Sequence, residues 1–139
     1  MCTKSERFKL ILHSVQVTIA AKGMSGGHTA FIPKGDEYHV CKDQLVAQMD
    51  VSMGGRAAEE LVFGKDKITG GASSDLEIAT GISNLMVKSL GMSEKAGLRV
   101  YPSNGTSPHT NEIVDSEVNR MLNESYARAK SLLKAHRFV

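Results

Sequence analysis

The sequence predicts a mainly α fold, formally α+β, with three long helices and a small β-hairpin near the N-terminus. Apolar residues recur at threes and fours in three separate stretches, the spacing of helices with one buried face. Near the N-terminus, Val15, Val17 and Ile19 instead alternate with Gln16 and Thr18, the period of a half-buried strand. At 139 residues the chain is one domain by length, able to bury roughly two-thirds of its unfolded surface without a disulfide or metal staple.

Residues 1–6 carry no pattern, and the first 13 residues read as a divergent N-terminal segment. The strand from Val15 is followed by the flexible turn Lys22-Gly23-Met24-Ser25-Gly26-Gly27, and His28 to Ile32 is expected to return as its partner. A polar loop through Pro33 and Glu37 leads to a helix starting near Lys42 or Asp43 and ending at Gly64. Its apolar stripe is Leu45, Val46, Met49, Met53, Ala57, Leu61 and Val62. Gly54-Gly55 in its middle costs on the order of 1 kcal/mol per glycine relative to alanine, which requires a compensation. With Ala57 and Ala58, these glycines form a small-residue surface that a second helix can approach closely.

A second helix is expected to begin after the turn Thr69-Gly70-Gly71-Ala72, with Ser74 and Glu77 as a capping box, and to end at Gly91. Its buried face reads as Leu76, Ile78, Ala79, Ile82, Leu85, Met86 and Leu90, with Glu77, Thr80, Ser83, Asn84 and Lys88 outward. Residues 92–97 form a connector, Leu98 to Tyr101 a short extended piece, and Pro102 to Pro108 a loop. The third helix runs from about Asn111, burying Val114, Val118, Met121, Leu122, Ser125, Ala129, Leu132 and Leu133. Glu112, Asp115, Glu124 and Arg128 read as its solvated face.

Hydrophobic and charged contents of 41% and 23% are those of a soluble globular protein. The net charge of +2 and the scattered basic residues argue against a nucleic-acid partner. No apolar run is long enough to span a bilayer. Two cysteines, Cys2 and Cys41, do not make a disulfide framework.

Asp75 falls in the first turn of the second helix, and two readings of it stand. A carboxylate there complements the helix dipole; the same rigid placement also suits a metal ligand. The five histidines, His13, His28, His39, His109 and His136, are isolated, and His-Glu-x-x-His is absent. His39-Val40-Cys41 is a weak metal signal, and no phosphate-binding Gly-x-x-x-x-Gly-Lys-Ser/Thr loop occurs.

The stretch Gln48 to Gly64, with Gly54-Gly55-Arg56-Ala57-Ala58-Glu59-Glu60-Leu61 at its centre, resembles the characteristic helix of the FtsH-type ATP-dependent zinc metalloproteases. Thr69-Gly70-Gly71-Ala72-Ser73-Ser74-Asp75-Leu76, then Gly91-Met92-Ser93-Glu94-Lys95-Ala96-Gly97 and Tyr101, follow in the family's order. The wording is nearest the mitochondrial inner-membrane branch whose peptidase faces the intermembrane space. The resemblance runs from about Val15 to His136 and identifies residues 14–139 as a partial peptidase domain.

That resemblance implies a helical peptidase domain beside an AAA ATPase module, in a membrane-anchored homo-hexamer that degrades unfolded and membrane proteins. It implies zinc as the family's cofactor and Asp75 as the third zinc ligand, with Glu59 or Glu60 near the site and orienting a histidine ligand. Met1 to Leu12 bears no likeness to the family's His-Glu-x-x-His helix, so two ligands and the catalytic glutamate have no counterpart here. The expectation is a truncated or rearranged copy that is soluble, binds no zinc alone and has no catalytic residue of its own. A pseudoprotease packing against intact protease subunits is the alternative. A hydrolase with a rebuilt site from His28, His39, Cys41 and Asp75 is the third reading.

Overall fold

The computed structural model describes residues 15–18, 28–31, 40–102 and 106–136. The chain divides into two compact units, residues 1–47 and 48–139. In the first, Val15–Thr18 (β1) and His28–Phe31 (β2) pair antiparallel, with Val15 opposite Phe31 and Thr18 opposite His28. Ile19 and Ile32, counted in the expected strands, lie outside the described residues.

The α+β expectation with its β-hairpin is corrected to a mainly helical fold. From residue 40 onward every regular element is helical. A ladder of two four-residue strands is too small to form a layer of a domain.

Helix α1 spans Lys42–Phe63, α2 spans Ser73–Lys88 and α3 spans Pro108–Ala135. Helix α1 stops where Gly64 turns to φ +84°, a conformation open to glycine at little cost. Helix α2 ends in a left-handed glycine turn, Gly91 at φ +59°, which lets the Met92 N–H reach the Met86 carbonyl at 2.9 Å. Helix α3 begins three residues before the expected Asn111. Ser107 caps it by accepting from the Thr110 N–H at 3.2 Å, and Pro108 occupies the first helical position, where a missing N–H costs nothing.

The core of the second unit draws Met49, Met53 and Ala57 from α1, Ala79, Ser83, Met86 and Val87 from α2, and Val114, Val118, Met121, Ser125 and Ala129 from α3. Of the expected inner face of α2, Ala79 and Met86 are buried, but the face is rotated about them. Ile78 and Leu85 are 53% and 45% exposed, and Leu76 and Leu90 are also outward, whereas Ser83 and Val87 are fully buried. Two apolar stripes compete on this helix. The one that wins carries the smaller side chains, so α2 packs closely on α3 and Ser83 Oγ donates to the Val118 carbonyl at 3.3 Å.

Polar ties complete the packing. Asp50 on α1 accepts from Ser125 Oγ at 2.6 Å and from Arg128 Nε and Nη2 at 2.9 and 2.8 Å. Arg128, expected on a solvated face, is thus an inter-helix clamp. Glu60 accepts from Lys130 Nζ at 2.8 Å and from the Tyr126 hydroxyl. The connector after α2 is held by Glu117, 1% exposed, which accepts from Ser93 Oγ and pairs with Arg120 through two 3.0 Å bonds. Tyr101 closes the same connector, its hydroxyl donating to the Ala96 carbonyl and its N–H to the Lys88 carbonyl at 2.8 Å.

These ties set the pH response. Hydrogen bonds from Arg120 and then Ser93 hold the Glu117 carboxyl below its ordinary value against the cost of burial, and Lys130 and then Tyr126 do the same for Glu60. A carboxyl with a depressed folded pKa adds stability at neutral pH that is lost as pH falls through that value, below the unfolded value of about 4.3. Burial and then Glu60 push the Tyr126 hydroxyl up to about 12, so its contribution is lost as pH rises from about 10. The melting temperature is therefore expected to form a plateau with an acid limb below about pH 4. Glu117→Gln should shallow that limb while lowering stability at pH 7 by roughly 1.5–3 kcal/mol, and thermal melts across pH check both.

Candidate functional site

The candidate site is built on the turn that joins α1 to α2. Gly55 and Glu59 lie four residues apart on one face of α1, with Arg56 beside them. The Glu59 carboxylate accepts from the Thr69 N–H at 3.1 Å and from Thr69 Oγ1 at 2.7 Å. Arg56 Nη1 donates to the Thr69 carbonyl at 3.0 Å, so both sides of this one residue are bonded to α1. Thr69 Oγ1 in turn accepts from the Gly71 N–H at 3.2 Å and caps a 3-10 turn, Gly70–Ala72, that runs directly into α2. A Cβ at Gly71 would stand 3.3 Å from Thr69 Oγ1, too tight to be added without displacing the threonine.

The expected Ser74–Glu77 capping box does not form. Helix α2 starts at Ser73 behind Ala72 without a side-chain cap, and the Ser73 N–H is taken by the Gly70 carbonyl of the preceding turn. Asp75 does lie in the first turn, half-buried. Its Oδ2 is 3.6 Å from where a Cβ on Gly55 would sit. The carboxylate has no hydrogen-bond or ion-pair partner among the described residues. The 3.6 Å at Gly55 is ordinary contact distance, so an alanine would also fit beside Asp75, and this contact does not account for the cost of the glycine in α1.

The paired glutamates separate. Glu59 faces the turn, and the Thr69 hydroxyl and then the Thr69 N–H lower its pKa. Glu60 faces α3 and reaches Tyr126 and Lys130. The histidine that one of them is expected to orient has no counterpart in this sequence. Of the set His28, His39, Cys41 and Asp75, Cys41 is an exposed free thiol; His39 and the side chain of His28 lie outside the described residues. Among the described residues no three His, Cys, Asp or Glu side chains are grouped to hold a metal, and no helix is long and apolar enough to cross a membrane.

Sequence reasoning missed the anchoring of Thr69 on α1, where its bonds with Glu59 and Arg56 span ten and 13 residues across a loop and leave no periodic trace. Glu117 had a signal. It sits in the buried phase of α3, three residues after Val114 and four before Met121.

Residues 11–138 match the family described as Peptidase family M41. The chain is 56% identical over 128 residues to the ATP-dependent zinc metalloprotease YME1L of Drosophila melanogaster, covering 87% of this chain and 17% of that protein. It is 49% identical over 122 residues to mouse YME1L1, again 87% of this chain and 17% of the relative. The Arabidopsis thaliana FTSH 11 metalloprotease, named chloroplastic/mitochondrial, is 48% identical over 121 residues, 87% of this chain and 15% of that protein. The chain thus spans about one sixth of the length of these curated relatives.

A zinc site of catalytic type needs three protein ligands and an open position. Asp75 has the chemistry of one such ligand, a half-buried carboxylate without a partner among the described residues. The described residues do not supply the other two, so they do not make a complete site for the ion.

The two helix glycines should respond differently to alanine and larger residues. No described atom lies within 4 Å of a Cβ at Gly54, so Gly54→Ala is expected to stabilise the chain by about 1 kcal/mol in a thermal melt. Gly55→Ala fits at ordinary contact distance, while Gly55→Leu should displace the Asp75 side chain, visible as chemical-shift changes confined to the start of α2.

Proposed function

Because the chain belongs to Peptidase family M41, the FtsH-type ATP-dependent zinc metalloproteases, we propose that it forms part of the peptidase domain of a mitochondrial inner-membrane enzyme of this kind. In this reading Asp75 is the carboxylate zinc ligand, and the substrates are unfolded and membrane proteins handled by a homo-hexamer on the intermembrane-space side. The single observation that carries it is the Asp75 carboxylate, without a partner among the described residues and set beside Gly55 just after a turn bonded to α1. The 139 residues contain no His-Glu-x-x-His, so two zinc ligands and the general base must come from elsewhere, and the chain alone hydrolyses no peptide bond.

The alternative is a pseudoprotease that packs against intact protease subunits. It is favoured by the apolar side chains that α1 and α2 leave outward, Phe63 at 60%, Ile78 at 53% and Leu85 at 45% exposed. Co-purification with a full-length protease separates it from the first reading.

Two measurements test the proposal. The purified chain, in zinc buffer with or without ATP, is expected to leave an unfolded protein substrate intact; chelator-sensitive cleavage co-eluting with the chain would overturn this. A family-type helix bearing His-Glu-x-x-His, joined ahead of Ser14, should create stoichiometric zinc binding. Asp75→Asn in that chimera should weaken it by more than the roughly 10–100-fold that loss of a supporting residue costs. Equal affinity with and without the Asp75 carboxylate would remove it from the ligand set.

A further inference from the structure

We infer that Glu59 is a positioning residue for Asp75, acting through Thr69, and that its neighbour Glu60 has no part in this. The inference rests on the reading of Asp75 as the carboxylate ligand, and its geometry stands on four bonds. Glu59 takes the Thr69 N–H and hydroxyl at 3.1 and 2.7 Å, Arg56 holds the Thr69 carbonyl at 3.0 Å, and Thr69 Oγ1 holds the Gly71 N–H at 3.2 Å. From Thr69 the chain enters a 3-10 turn whose Gly70 carbonyl accepts from the Ser73 N–H, and α2 follows without a break. Between the anchored residue and Asp75 there is no free joint. Fixing Thr69 on α1 therefore fixes where the first turn of α2 points.

The reference point for Asp75 lies on the same helix. Gly55, one turn before Glu59, is the residue its carboxylate approaches. One face of α1 thus holds the turn with Glu59 and meets the Asp75 carboxylate beside Gly55. A site that must hold a metal ligand in place uses supporting hydrogen bonds of this kind. Glu60, by contrast, is bonded to Tyr126 and Lys130 on α3, and its loss should loosen the bundle without reaching the turn.

The test is carried out on the full chain by NMR, with no metal present. The Asp75 Hα–Hβ couplings report its side-chain rotamer, amide exchange reports Thr69 and Gly71, and a thermal melt reports global stability. In Glu59→Ala, protection at both amides should be lost and the Asp75 couplings should average. In Glu60→Ala the melting temperature should fall while both signals stay as in the parent chain. Glu59→Gln, which keeps a carbonyl oxygen for Thr69, should restore a large part of the Asp75 signature. If Glu59→Ala fails to fold, Thr69→Val removes the hydroxyl and leaves the backbone bond, and partial averaging is expected. An unchanged Asp75 rotamer in the Glu59 and Thr69 variants, or equal averaging in Glu60→Ala, would overturn the inference. These readouts are independent of zinc, so a failed chimera would remove the ligand reading and leave the anchoring intact.

Discussion

Helix α3 can occupy its place only because acidic groups on its neighbours and on itself are matched by its own donors. Asp50 meets Ser125 and Arg128, Glu60 meets Tyr126 and Lys130, and Glu117 meets Arg120 while reaching back to Ser93. Removing one partner of a buried charge leaves the other uncompensated, which is far costlier than losing a surface pair. The ties therefore specify the arrangement more strongly than they stabilise it.

The consequence for the site is that α1 is held from two sides by adjacent residues. Glu60 points to the bundle and Glu59 to the turn, so successive positions of one helix, about 100° apart, divide the tasks of packing and positioning. The acidic pair reads as one feature in the sequence and acts as two in the fold. The geometry explains what each of them does to its neighbours.

Much of the helical skeleton was legible. Gly64 and Gly91 end their helices with positive φ, as single glycines after an apolar-periodic run do, and Asp75 falls in the first turn of α2. The rotation of α2 was not legible. Ala79 and Met86 were legible as buried, but Ile78, Ile82 and Leu85 flank them on one side as Ser83 and Val87 do on the other, and hydrophobicity favours the wrong side. Close helix packing reversed that preference, because a serine admits a neighbouring backbone where an isoleucine does not. The anchoring of Thr69 was equally hidden, since a hydrogen bond across a loop has no period. The β content was over-weighted, because alternation over four or five residues is satisfied by a ladder too short to define a class.

The contact between Tyr126 and Glu60 also makes the protein its own reporter. The chain has no tryptophan and three tyrosines, so tyrosine emission is not drained to an indole acceptor. A phenol hydrogen-bonded to a carboxylate loses much of its fluorescence, through proton transfer in the excited state. Separation of α1 from α3 breaks that bond and brightens Tyr126. Opening of the bundle can thus be followed by ultraviolet emission from the unlabelled chain, at a residue placed by chance of packing where a dye would otherwise be attached.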